Sequence, residues 1–164
     1  MIKIRGRGLE KRFEKSVIEN KEGFYKLAYC YVKNHHDAMD VLQESILKGY
    51  SNLSKINDEN AIDKYLNRII INTAIDFIRK NSKIIFTDSE CFKEKIDDFY
   101  ENDINYAVED LEPELKSIIV LKYFHGYKIS EVAEILDISV STVKNRMHKA
   151  LKQLRVEIKE DIYE

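Results

Sequence analysis

The sequence has no tryptophan, one proline and five glycines among its 164 residues. β-Rich folds need many turn-forming residues, so this scarcity argues against a sandwich or a barrel. A hydrophobic fraction of 44% is sufficient to bury a core, and Leu, Ile, Lys and Glu dominate in runs long enough for helices. We therefore predict an all-α fold.

Long apolar runs are also missing. No stretch approaches the roughly 18 consecutive apolar residues of a membrane-spanning helix. Residues 1–7 read Met-Ile-Lys-Ile-Arg-Gly-Arg and lack the apolar segment of a secretory signal. We expect a cytoplasmic protein without stable membrane association of its own.

The residues that usually carry catalysis or bind metals are sparse. Cys30 and Cys91 are the two cysteines, and neither has a second thiol or a histidine pair at a metal-binding spacing. No serine or cysteine lies in a nucleophile motif, and glycine is too scarce for a phosphate-binding loop. The four histidines are dispersed: His35, His36, His125 and His148. We expect no catalytic residues, no metal, no cofactor and no disulfide, so an enzyme is the least favoured class.

Charge is present but segregated. The formal net charge is −2, yet residues 86–114 contain eleven acids and two bases, whereas residues 144–155 contain five bases and no acid. Such segregation is typical of a nucleic-acid-binding protein that also carries an acidic segment.

Apolar periodicity divides the chain into two helical domains. Three blocks of helical spacing lie between Phe13 and Ser82, separated by the turn-rich segments 33–37 and 51–60. Residues 84–106 are highly charged with weak periodicity and indicate a solvated linker. We predict a three-helix domain at 10–83, an acidic linker at 84–106 and a second helical domain at 107–160.

The second domain contains a helix-turn-helix pattern. Residues 131–136 are short and amphipathic, 137–139 form a turn, and a longer helix begins at Val140. At 100° per residue the apolar side chains of this longer helix share one arc. They are Val143, Met147, Ala150, Leu151, Leu154 and Ile158. The opposite arc is cationic and rich in hydrogen-bond donors, which suits the major groove. A lone basic helix is as often a merely solvated surface, but the short helix and turn before it favour DNA binding.

Three longer motifs resemble a known family. Residues 111–115 (LEPEL), 120–126 (VLKYFHG) and 139–150 (SVSTVKNRMHKA) resemble region 4 of extracytoplasmic-function sigma factors. Residues 37–47 (DAMDVLQESIL) resemble the helix with which these factors grip RNA polymerase, and residues 65–80 resemble their −10 helix. The resemblance implies a region 2 domain and a region 4 domain joined by the linker.

The resemblance also implies roles for individual residues. The core polymerase-binding residues would be Asp37, Asp40, Gln43, Glu44 and Leu47. The −10 residues would be Asn57, Asn60, Arg68, Asn72, Arg79 and Lys80, with loop 51–60 holding an unstacked base. The −35 residues would be Ser141, Thr142, Lys144, Asn145, His148, Lys149 and Lys152. A solvated acidic surface remains the alternative for the first set, and Asp76 is either part of the −10 stripe or an internal cap.

Four positions depart from the family pattern. Lys128 replaces the usual hydroxyl cap of the first helix of the turn unit, although Glu131 is retained as its partner. Asp137 replaces the usual glycine, and Asp tolerates the left-handed region better than most residues. Met39 replaces a common acid and Ile71 a common base.

The function implied is that of an alternative sigma factor. Its partners would be bacterial core RNA polymerase, through the clamp helices and flap of the large subunits, promoter DNA, and an anti-sigma factor. The competing interpretation is a helix-turn-helix regulator that binds DNA without polymerase, generally as a dimer. Such a regulator needs neither the 37–47 motif nor the −10 helix.

Overall fold

The computed structural model describes residues 2–82, 108 and 110–163, with side chains described for 6–82, 108 and 110–155. The predicted linker at 84–106 lies outside these residues. The chain divides into two compact units, Met1–Phe77 and Ile78–Glu164. All regular structure in the described ranges is helical, which confirms the all-α prediction.

Four α-helices and two 3₁₀ turns come from the first part of the chain. The helices are α1 (Ile2–Glu19), α2 (Lys21–Val32), α3 (His35–Ser51) and α4 (Ile62–Ser82), and the turns Leu53–Lys55 and Glu59–Ala61 join α3 to α4. Helix α1 extends upstream of residue 10 and adds a helix to the three that the periodicity predicted. None of the described helices is both long and apolar enough to span a membrane.

The start of α3 is fixed by its cap. Lys33 adopts a left-handed conformation (φ 60°) that ends α2, and Asn34 is extended. The Asn34 side chain accepts a hydrogen bond from the Asp37 backbone N–H at 2.8 Å and donates to the Asp37 carboxylate at 2.5 Å. This satisfies a backbone donor that the first helical turn leaves without an intrahelical partner.

The apolar faces of these helices form one core. Its fully buried members include Phe24, Leu27, Val41, Ile62, Leu66 and Ile70. Gly49 of α3 permits the closest approach within it, since a Cβ there would lie 3.0 Å from Cε2 of Phe13 and 3.3 Å from Cδ2 of Leu66. Phe13, on α1, also packs edge-on against Tyr50, with ring centroids 6.0 Å apart.

Asp63, in the first turn of α4, ties that helix to α1. Its carboxylate accepts hydrogen bonds from Arg12 at 3.0 Å, from Ser16, and from Asn20 at 3.4 Å. The three donors are spaced four residues apart: Arg12 and Ser16 lie on one face of α1, and Asn20 directly follows its last residue. An acid in the first turn also complements the dipole of α4.

From residue 110 onward, the described part of the second unit consists of three shorter segments and one long helix. They are α5 (Pro113–Ile119), a π-helical turn (Val120–Phe124), α6 (Ile129–Leu136) and α7 (Val140–Tyr163). Pro113 occupies the first turn of α5, where its missing N–H costs nothing. Gly126 has a φ of +72°, the left-handed conformation expected after this helix. Leu115, Ile118, Leu121, Val132 and Val143 fill the core.

Three apolar residues that the periodicity assigned to packed faces are exposed. Leu47 is 68% exposed, Phe124 46% and Leu151 39%. Periodicity locates the centre of an apolar arc but not its width, and Leu151 lies at the edge of the buried arc of α7.

Gly49→Ala is expected to destabilise the protein. The new methyl group would press on the ring of Phe13 and on Leu66, and overpacking of this kind typically costs about 1–2 kcal/mol of unfolding free energy. Urea unfolding followed by tyrosine fluorescence measures it. Gly6→Ala is the control: its Cβ would meet nothing within 4 Å, so alanine's higher helix propensity should leave stability equal or higher. Equal unfolding midpoints for the two variants would contradict the close packing at Gly49.

Candidate nucleic-acid interface

The corner between α6 and α7 has helix-turn-helix geometry. Asp137 ends α6 in the left-handed conformation (φ 55°, ψ 47°), as expected where the family pattern has glycine. The Ile138 backbone N–H donates to the Ala133 carbonyl at 3.1 Å. Val132, Ala133 and Val143 are buried beneath the turn. The angle between the two helices is therefore set by a closed hydrogen-bonded turn over an apolar contact.

The start of α6 has half of a capping box. The Lys128 backbone N–H donates to Oε2 of Glu131 at 2.9 Å. A lysine side chain has no acceptor for the reciprocal bond, because its ammonium group only donates. The retained Glu131 thus satisfies Lys128, while the hydroxyl that would accept from the Glu131 N–H is missing.

The start of α7 is capped by Ser139, which the sequence reasoning assigned only to the turn. Its Oγ accepts from the Thr142 backbone N–H at 3.1 Å and lies 2.7 Å from the Thr142 hydroxyl and 3.0 Å from the Ser141 hydroxyl. The signal was a serine three residues before Thr142, the spacing of an N-cap. The two hydroxyls predicted to hold a phosphate are thus clustered at a helix N-terminus, where the dipole favours anions.

Apart from the exposed Leu151, the described part of helix α7 separates its buried and polar faces as predicted. Val143, Ala150 and Leu154 are buried. Thr142 is half-buried, and the side chain of Ile158 lies outside the described residues. The other predicted −35 side chains are all exposed: Ser141, Lys144, Asn145, His148, Lys149 and Lys152.

Two bases of α7 pair with acids at the start of α5. Arg146 contacts Glu114 at 3.0 Å, and Lys149 contacts Glu112 at 3.6 Å. The side chains of Lys149 and Glu112 are 58% and 68% exposed, so water and salt screen this pair strongly. Lys149 therefore remains accessible to a phosphate.

Loop 52–61 forms an open pocket of about 340 Å³. Asp58 shapes it by accepting a hydrogen bond from the Asn60 backbone N–H at 2.9 Å. Both asparagines that the resemblance implied are exposed and line the pocket. The full lining is Leu9, Asn57, Asp58, Glu59 and Asn60.

Helix α4 presents its predicted polar stripe to solvent. The exposed side chains of that stripe are Arg68, Asn72, Asp76, Arg79 and Lys80. Ile71, where the family pattern often has a base, is 3% exposed. Ile71 therefore belongs to the core, and the substitution does not remove a charged residue from the exposed stripe.

Tyr65 lies on the same helix. Burial raises the pKa of its phenol, so the side chain is neutral at physiological pH.

Helix α3 carries the side chains that the resemblance implied for polymerase binding. Asp40, Gln43, Glu44 and Leu47 are exposed, and Asp37 is half-buried in the helix cap. Asp40 contacts His36 at 3.3 Å, and Glu44 contacts Lys48 at 2.6 Å. The face is thus acidic at its start and apolar at Leu47.

Among the residues with described side chains, one grouping has the composition of a metal site. Ligand atoms of His36, Asp37 and Asp40 lie within 4.8 Å of one another. These side chains pair with one another at an exposed helix start, an arrangement that needs no ion. We assign no metal to them.

Two family models match the chain. Sigma-70 region 2 matches residues 17–84, and Sigma-70 region 4 matches residues 101–154. The first match contains α2, α3 and α4, and the second contains the helix-turn-helix corner.

Curated relatives match nearly the whole chain. RNA polymerase sigma factor SigV of Bacillus subtilis is 38% identical over 151 residues, covering 89% of this chain and 91% of that protein. The RNA polymerase sigma-E factor of Streptomyces coelicolor is 28% identical, covering 89% and 85%. Among solved structures, the sigma factor RpoE of Bartonella quintana, in complex with the anti-sigma factor NepR, superposes with a TM-score of 0.73 at 19% identity, covering 91% of this chain and 98% of that one. This last likeness shows the fold.

Lys128→Ser is expected to stabilise the second unit. The serine hydroxyl can accept from the Glu131 N–H and complete the capping box, a gain of about 1 kcal/mol. Thermal unfolding followed by circular dichroism measures it. Lys128→Ala removes the same charge without supplying an acceptor and should show no gain. A stability increase in both variants would mean that the lysine charge, and not the missing cap, limits α6.

Proposed function

Because the chain belongs to the sigma-70 family of RNA polymerase sigma factors, in its extracytoplasmic-function group, we propose a division of labour between its two units. It is an alternative sigma factor that directs transcription. In our proposal the first unit binds core polymerase and the −10 element, and the second binds the −35 element. For these roles we use the domain bounds inferred from the sequence, 10–83 and 107–160, with the rest of α1 added to the first. Arg79 and Lys80 of α4 then belong to the first domain, although the compact units divide after Phe77.

Exposed Leu47 is the observation that carries the polymerase-binding assignment. It is 68% exposed, one turn after Glu44 on α3. A single exposed leucine is ordinary on a protein surface. One that continues an acidic helix face is suited to a partner that offers basic groups and an apolar contact. We assign Asp37, Asp40, Gln43, Glu44 and Leu47 to the clamp helices of polymerase.

The −10 assignment is supported by the exposed stripe of α4 and the loop before it. Arg68, Arg79 and Lys80 supply charge for the phosphates of an opened strand. Asn72 and the pocket asparagines, Asn57 and Asn60, supply donors and acceptors for base edges. Opening a duplex is favoured when unstacked bases gain such contacts.

The −35 assignment is supported by the exposed polar face of α7. Lys144 can donate to guanine, and Asn145 can pair bidentately with adenine. His148, Lys149 and Lys152 continue this face, and Ser141 and Thr142 lie where a helix start meets a phosphate.

The chain itself performs no chemistry in this proposal, because recruitment and melting need only binding energy. It would act in the cytoplasm, where polymerase is. An anti-sigma factor is a further expected partner, since the similar RpoE structure is a complex with one. No observation supports a regulator that acts without polymerase.

Transcription in vitro tests the proposed function. Bacterial core polymerase is incubated with genomic DNA fragments, with and without the full chain, and transcript ends are sequenced. Defined start sites that require the chain, with a shared pair of upstream elements, are expected. Transcripts that do not depend on it would refute the proposal, and the start sites supply the promoter for the tests below.

The double variant Asp40→Lys/Glu44→Lys is expected to lose core polymerase binding. It reverses two charges on the proposed contact face and breaks only surface pairs with His36 and Lys48, each worth under about 1 kcal/mol to the fold. Co-purification of the chain with core polymerase measures binding, and circular dichroism checks that the helices persist.

Glu10→Lys/Glu14→Lys is the matched control for that variant. It makes the same charge change at the same spacing on the exposed face of α1. Binding should survive in it. If both double variants lose polymerase equally, net charge rather than the α3 face controls the interaction.

Lys144→Ala and Asn145→Ala are each expected to reduce the binding free energy at the mapped promoter by about 1–3 kcal/mol. Each should also reduce the discrimination between matched and mismatched −35 sequences. Competition between matched and scrambled −35 sequences measures both effects. Gln153→Ala is the control, because this exposed side chain lies half a turn around α7 from Lys144. Equal losses on matched and scrambled DNA would indicate contact with phosphate alone.

A further inference from the structure

The pocket of loop 52–61 has a wall that comes from outside the loop. Four of its lining residues are polar and consecutive, 57–60, and the fifth is Leu9 of α1. A pocket lined by four polar residues and one apolar side chain suits a nucleobase, which has hydrogen-bonding edges and an apolar face. The volume of about 340 Å³ is within the range of roughly 300–1,000 Å³ typical of small-ligand sites.

Leu9 is held in place by contacts further along α1. Arg12, three residues on, bonds Asp63 at 3.0 Å, and Phe13 is buried against the close approach at Gly49. Helix α1 also packs on the 3₁₀ turn Leu53–Lys55, where the loop begins. Leu9 and the loop are therefore held in position by contacts within the same helical domain.

Gly8 leaves room for the end of the Glu59 side chain. A Cβ at position 8 would lie 3.0 Å from Oε1 of Glu59, so a larger residue shifts that carboxylate at the pocket edge. The φ of Gly8 is helical, so backbone conformation does not require glycine here.

We propose that α1 is a specificity-determining part of the −10 interface: Leu9 is the surface on which the unstacked base rests, and Gly8 sets the position of Glu59 against its edge. This rests on the proposed −10 role of the loop. Helix α1 lies largely before residue 17, where the region 2 match begins. The strand bound by the loop is thus read by two segments distant in sequence.

The test uses the complete chain bound to core polymerase and forked DNA from the mapped promoter, with a single-stranded −10 segment. At each −10 position in turn, the probe carries one of the four bases or an abasic site. Leu9→Ala should lose about three- to tenfold in affinity for the fork when the pocketed base is present, from lost apolar contact. It should match the unmodified chain when that position is abasic.

Ile18→Ala is the matched control. It shortens an aliphatic side chain on the same helix, 75% exposed and about 13 Å along the axis from Leu9. It should leave affinity unchanged on every probe. A Leu9→Ala loss that is equal on base-containing and abasic forks, or equal to that of Ile18→Ala, would overturn the proposal.

Gly8→Ala gives a readout that a purely structural role would not move. Alanine has the higher helix propensity, so the thermal midpoint should hold or rise, while the ranking of the four bases at the pocketed position changes at least about threefold. An unchanged ranking would contradict the role of Gly8. If the unmodified chain gives no promoter-specific transcripts, the proposed function itself fails. If it gives such transcripts but the Leu9 and Gly8 substitutions have no effect on fork binding, only the role of α1 fails.

Discussion

The carboxylate of Asp63 is the contact on which the geometry of the first unit most depends. It accepts hydrogen bonds from Arg12 and Ser16 of α1 and from Asn20 just after that helix, which holds them at the first turn of α4. The side chains of Arg12 and Asp63 are 29% and 32% exposed, so the pair is shielded enough to matter without the full penalty of a buried ion pair. Because loop 52–61 ends where α4 begins, this contact also fixes the loop relative to α1.

The second unit depends on backbone constraints rather than on a charge. Asp137 holds a left-handed turn between α6 and α7, and Ser139 caps the helix that follows. Residues 137–139 thus form the whole connection between α6 and α7. The unit tolerates the half cap at Lys128 because Val132 and Val143 pack under the turn and contribute more than one missing hydrogen bond.

Local patterns predicted much of this structure, and long-range contacts account for what they missed. The two faces of α7, the left-handed Asp137 and the single-sided cap at Glu131 follow from residues within one or two turns of each other. Helix α1 was missed as part of the fold because its sequence is strongly basic and contains two glycines, which weakens apolar periodicity. The helix is held in place by packing of Phe13 at Gly49 and by the hydrogen bond of Arg12 to Asp63. Both partners are at least 36 residues away in sequence.

For the candidate site, too, local patterns predicted the exposure of helical side chains but not the arrangement of the loop. Exposure of the α4 stripe and of the α7 face follows from helical spacing, and all of the implied DNA-binding side chains except the half-buried Thr142 are exposed. Which loop residues line the pocket could not follow from spacing, because irregular backbone has no period. Leu9 could not be found at all without the fold, since nothing near it in sequence indicates a pocket.

The charge distribution bears on how such a protein would bind DNA in our proposal. A net charge of −2 gives no long-range attraction to phosphates, and Glu112 and Glu114 lie beside two of the bases of α7. Counterion release, the main source of non-specific DNA affinity, is correspondingly small for a chain whose 27 Lys and Arg residues are outnumbered by 29 Asp and Glu residues. In the proposed function, promoter binding therefore also depends on the contacts that polymerase makes. When both DNA-binding surfaces are held on one large partner, binding of one raises the effective concentration of the other and so the combined affinity. In our proposal an acidic face on α3 and a basic face on α7 are compatible in one small protein, because the first binds polymerase and the second binds DNA.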